Sequence, residues 1–156
     1  MSRLWSHEIS QEQLFENYKN EFSEQKIINS LEKVFNSQNN EEIEAIFHIA
    51  FTFNLFSIKS TAILGKLILQ PWHNQHENIA SVFQDLKDPN SIACLIKAVH
   101  YNCDYWIDNG DAFIRKCLYA LAAINTNESK LKIAILANDN NEIVKKYALV
   151  QINKLD

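Results

Sequence analysis

The sequence predicts an all-α fold, an α-solenoid of stacked antiparallel helix pairs with about nine helices and no sheet. Three observations predict it. Among 156 residues there are two glycines and two prolines, fewer than the tight turns of an all-β chain of this length would need. Apolar residues recur at helical spacing through most of the chain, with no strand-like alternation. The apolar pattern of one late segment also returns 31 residues on. Phe113 falls on Val144, Cys117 on Ala148, Leu121 on Ile152 and Ile124 on Leu155.

Each element has its own justification. SQEQLFENYKNEF opens with Ser10 and Gln13 in capping-box spacing, and with Trp5 it is expected to cover the open end of the stack. SEQKIINSLEKVF carries Ile27, Ile28, Leu31, Val34 and Phe35, with Ser23 as a cap. EEIEAIFHIAFTF and SIKSTAILGKLIL form the next pair. ENIASVFQDL presents Ile79, Val82, Phe83 and Leu86 on one face. In LKDPNSIACLIKAVH, Asp88 caps, Pro89 suits the first turn, and Ile92, Leu95, Ile96 and Val99 make the stripe. GDAFIRKCLYALAAIN follows. NESKLKIAILAND is read with Leu131, Ala134 and Ile135 as its buried face. The last helix buries Val144, Tyr147, Ala148, Ile152 and Leu155, and Asn, Asp and Ser are expected to make the turns. The chain thus reads as one domain over 1–156, with capping helices in 1–40 and repeats in 41–156.

Composition narrows the function classes. Hydrophobic residues make up 47% and charged residues 22%, the balance of a globular chain. A net charge of −4 argues against a general nucleic-acid binder, because phosphate contacts need basic residues. No run reaches the roughly 18 apolar residues of a membrane span, and MSRLWSHEISQEQ lacks the apolar stretch of a secretory leader. A cytoplasmic location is therefore expected, with Cys94, Cys103 and Cys117 as reduced thiols serving as small core residues.

Two stretches stand out. LQPWHNQHENIASVF holds His73, His76 and Glu77 beside Trp72. Its HxxHE order is neither HExxH nor HxxEH, and a zinc site would need further ligands, for which His100 and Cys103 are the candidates. The alternative reading is a helix–helix junction. Pro71 ends the preceding helix, the imidazoles bond the freed backbone groups, and Glu77 suits the next helix start. HYNCDYWIDNGD is a long connection bearing Tyr101, Asp104, Tyr105, Trp106, Asp108 and Asp111. Aromatics among carboxylates suit a protein-binding surface; the competing reading is that Tyr105 and Trp106 seal the gap between repeats. DNGD lacks the remaining ligands and closing Glu of a calcium loop. Arg115 and Lys116 suit a solvated edge or an ion pair between repeats. No catalytic constellation is recognisable, so no enzyme activity, cofactor or metal is predicted.

DPNSIACLIKAV, FIRKCLYALAAI and NEIVKKYALVQINKL resemble HEAT repeats, closely over residues 76–155 and more loosely over 41–72. The combination of WHNQHENIASVFQDLKDPNSI, DYW and AFIRKCLYALAAINT is similar to a group of small stand-alone bacterial HEAT-repeat proteins. The matching positions are Trp72, His73, His76, Glu77, Asp104, Tyr105, Lys116, Cys117 and Leu121; Tyr119 stands where Trp is more usual. Such proteins resemble those placed beside polymorphic toxin genes. The resemblance implies an immunity protein that binds and neutralises a cognate toxin. Tyr101, Asp104, Tyr105, Trp106 and Asp108 would be its first contacts, then His73 and His76. A general adaptor or a chromophore-lyase-like subunit is the second reading. A metal-dependent or DNA-repair-like enzyme is the third, and its basic groove would draw on Arg115, Lys116, Lys130, Lys132, Lys145 and Lys146.

Overall fold

The computed structural model describes residues 21–155. Among them are eight α-helices and two short 3-10 turns, with no strand. The helices are α1 (Glu24–Ser37), α2 (Asn40–Thr52), α3 (Thr61–Leu67), α4 (His76–Leu86), α5 (Ile92–Ala98), α6 (Asp111–Ile124), α7 (Asn127–Leu136) and α8 (Glu142–Leu155). The 3-10 turns, Ile58–Ser60 and Pro89–Ser91, lead into α3 and α5. The expected first helix, with Trp5, Ser10 and Gln13, lies outside the described residues.

Side-chain capping starts several of these helices. The Lys26 N–H donates to Ser23 Oγ at 3.2 Å, and Asn39 Oδ1 accepts from the N–H groups of Glu41 and Glu42. Asp88 Oδ1 caps the turn at Pro89. Thr126 and Ser129 form a reciprocal capping box at α7. Turns that glycine would ordinarily make fall to other residues. Gln38, Asn54, Lys87, Asn109 and Asn125 all adopt positive φ, three of them asparagine, whose short amide tolerates the left-handed region better than most side chains.

The helices stack in two rows. In one, α3 packs between α1 and α5; in the other, α6 packs between α4 and α8. The consecutive pairs α1–α2, α3–α4, α5–α6 and α7–α8 tie the rows together, and α4–α6 is the most extensive interface. One continuous core runs from Ile27 to Ala148, with Phe47, Phe83 and Phe113 the largest fully buried side chains. In the 31-residue correspondence the first two pairs join buried positions, and the side chain of Leu155 lies outside those described. Phe113, Cys117 and Leu121 are enclosed, as are Val144 and Ala148, while Ile152 is partly covered. All three cysteines are free thiols, Cys103 and Cys117 buried and Cys94 partly so.

A charge ladder runs beside the α4–α6–α8 row. Glu77, in the first turn of α4, meets Lys116 of α6 at 3.1 Å. Asp111, which starts α6, meets Lys146 of α8 at 3.7 Å and accepts the Tyr147 hydroxyl at 2.5 Å. Each rung adds little stability at the surface.

The α7 assignment is corrected. Leu131 and Ile135 are 61% and 58% exposed and Ala134 is also exposed, while Ile133, Leu136, Ala137 and Ser129 are buried. This ten-residue helix carries apolar residues on two faces, so periodicity alone does not choose between them. The capping box turns Ser129 inward, and packing against α6 and α8 takes the face that includes Ile133.

Candidate functional site

The site starts where α3 stops. Pro71 carries no N–H, and the turn it begins leaves carbonyl groups at the end of α3 for side chains to meet. His73 donates from Nε2 to the Leu67 carbonyl at 2.8 Å and accepts the Gln75 N–H on Nδ1 at 3.0 Å. His76, the first residue of α4, donates from Nε2 to the Gln70 carbonyl at 2.8 Å. Its Nδ1 accepts the Tyr105 hydroxyl at 2.7 Å. A carbonyl only accepts, so the proton of each neutral ring sits on Nε2. The two imidazoles stack with centroids 4.4 Å apart, and the Trp72 ring stands edge-on to His73.

Burial lowers the pKa of both rings. His76 falls to about 4, first through burial and then through the neighbouring His73, against the opposing bond to Gln70. His73 is lowered by burial more than its bond to Leu67 raises it. With the ring held neutral by burial, Nδ1 offers its lone pair to the tyrosine hydroxyl.

Over this base lies the connection between α5 and α6. Tyr101 stacks on His76 and Trp106 stands edge-on to it, while Trp106 also stacks on Phe113 at 4.8 Å. Cys103 is buried with Sγ 3.4 Å from His76 Nε2. The far end is held by Asp108, whose carboxylate accepts the N–H groups of Gly110 and Ala112. Gly110 is required twice over. Its φ is +77°, and a Cβ there would lie 3.0 Å from Trp106 Cε3. Asp139, in the turn before α8, accepts a bond from His100 at the loop's start at 2.7 Å.

No protein-family model, curated protein or solved structure matches the chain.

The loop presents a tip above a closed base. Ile107 is 102% exposed and Tyr105 43%, and Asp104 and Asp108 are exposed beside them. Tyr101 and Trp106 are half-buried; His73 and His76 are enclosed. Of the predicted contact residues, Tyr101, Tyr105, Trp106, His73 and His76 thus form one stacked group, with Asp104 and Asp108 on the same loop. The two histidines support the surface from beneath. Sequence reasoning did not single out Ile107, the most exposed large apolar side chain among the described residues.

Burial pushes the Cys103 thiol up to about 11, while His76 is a weak base and its Nε2 proton goes to Gln70, so the pair is not poised as nucleophile and base. Both Nδ1 lone pairs are already engaged, His100 turns to Asp139, and no group of three or more His, Cys, Asp or Glu could hold a metal ion among the described residues. The residues proposed for a basic groove, Arg115 included, fall on three helices, α6, α7 and α8. Lys116, Lys145 and Lys146 pair with Glu77, Glu142 and Asp111, and Lys130 and Lys132 lie on α7. No helix among the described residues is long and apolar enough to cross a membrane.

Proposed function

We propose that the chain is a protein-binding module acting as an immunity protein, one that binds and neutralises a cognate bacterial toxin. The observation that carries the binding reading is the 100–110 loop, an exposed Tyr105–Ile107 tip with carboxylates beside it, fixed to the buried His76. A surface ordered before contact loses less entropy on association, and a tyrosine beside an aliphatic side chain supplies area at low rotamer cost. Asp104 and Asp108 would answer a basic patch such as a nuclease groove, steering encounter and choosing the partner. The resemblance of WHNQHENIASVF and DYW to HEAT proteins beside toxin genes supplies the choice of partner class. A general adaptor role would use the same loop with partners that are not toxic.

Co-purification from the native host tests the proposal. The expected result is a single stoichiometric partner that arrests growth when expressed alone and is silenced by co-expression of this chain. A stoichiometric partner without toxicity would replace immunity with adaptor function. A set of unrelated, substoichiometric partners would count against both.

A further inference from the structure

We infer that the row of α1, α3 and α5 carries a second interaction surface, distinct from the loop, that accepts an acidic amphipathic segment of a partner protein. A groove of about 640 Å³ runs across this row. Phe35, Ile58, Ala62, Leu69 and Ala93 give it an apolar lining, and Ile58 projects strongly into solvent. Its base is a close helix crossing. A Cβ on Gly65 would lie 3.3 Å from Cys94 Sγ, so the absence of a side chain there lets α3 approach α5.

Charge decides the occupant. Lys59, Lys66 and Lys97 line the groove and are all exposed, against one acidic residue, Asp88. Asp88 is buried with Oδ1 committed to the N–H and side-chain amide of Asn90, and Lys59 is paired with Glu24. Lys66 and Lys97 have no carboxylate within ion-pair distance among the described residues, in a chain whose net charge is −4. A cleft with an apolar strip and unpaired cations beside it complements a segment with an apolar face and flanking Asp or Glu. Its openness suits a peptide laid along the surface better than a small molecule, which is held by enclosure on most sides. This sign is opposite to that of the loop, so the two surfaces select different chemistry.

The test is a selection of random peptides, roughly 16 residues long so as to span about four helical turns, displayed on phage against the immobilised wild-type protein. Enriched peptides are synthesised and titrated by fluorescence anisotropy against wild type, the Lys66→Glu/Lys97→Glu double variant, Ala93→Trp and Ile107→Asp. All four positions are exposed, so folding is retained, and circular dichroism verifies it. The expected winners are net negative with apolar residues three and four apart. Charge reversal or groove filling should weaken them by about tenfold or more, while Ile107→Asp leaves them unchanged. Absence of enrichment, basic or neutral winners, or full affinity for Ala93→Trp would overturn the proposal. Winners lost only in Ile107→Asp would assign them to the loop and also overturn it. So would lysine-dependent binding to phosphatidylserine vesicles without any peptide winner, which would put a membrane in place of the peptide.

Discussion

His76 joins a carbonyl six residues behind it to a tyrosine hydroxyl 29 residues ahead, in a buried place that disfavours its charged form. That makes the clamp acid-sensitive in a definite direction. In the unfolded chain His76 titrates near its ordinary 6.5, and in the folded chain near 4. Between those values the unfolded state takes up a proton that the folded state does not. Stability from this residue is therefore complete above about pH 6.5 and declines as the pH falls toward about 4. At roughly 1.4 kcal/mol per unit the loss approaches about 3 kcal/mol, and His73, also lowered, acts in the same direction. Urea unfolding at about pH 7, 5.5 and 4.5 should show this decline, and His76→Phe should flatten it while costing stability at neutral pH. An equal slope in wild type and His76→Phe would mean that the ring is not the titrating group. The partners of the imidazoles were legible only in kind. Pro71 signals freed backbone groups nearby, but the approach of Tyr105 depends on how a distant loop folds back.

The loop and α7 show how far element-level reading extends. Stripes on α1, α4, α5, α6 and α8 were legible because each helix has one clearly more apolar face, and Ser23, Asp88 and the DPN turn announced their ends. In α7 two faces compete, and the burial of Ser129 settles the matter through the capping box, a local hydrogen-bond choice that hydropathy does not register. The corrected orientation has a mutational consequence. Ile133→Ala should cost about 2–5 kcal/mol by opening a cavity, whereas Leu131→Ala and Ile135→Ala should each stay within about 0.5 kcal/mol. Thermal denaturation of the three variants checks this, and a large loss at Leu131 with a small one at Ile133 would restore the original assignment. The loop's unusual length was visible in the sequence. Its tethering was not, since that depends on Gly110 accepting the Trp106 ring and on Asp108 bonding two backbone N–H groups.

At the scale of the molecule, the two-row stack separates two surfaces of opposite sign. The α4–α6–α8 row carries the acidic, aromatic loop before α6, and the α1–α3–α5 row carries the lysine-lined groove. The all-helical class was legible because glycine scarcity and helical spacing are properties of the whole chain, but the pairing was not fully so: EEIEAIFHIAFTF packs on α1, and SIKSTAILGKLIL on α4, rather than on each other. The groove was not legible, because Lys66 and Lys97 come from α3 and α5 and meet only once those helices cross. For the proposed role of the loop as the contact surface for a protein partner, Ile107 is the residue to alter, because it is fully exposed and supports nothing in the core. Isothermal titration of the co-purifying partner into wild type and Ile107→Asp should give an affinity at least about tenfold weaker for the variant, the loss expected of a central apolar anchor. The melting temperature should be unchanged. An unaltered affinity would place the contact away from the loop.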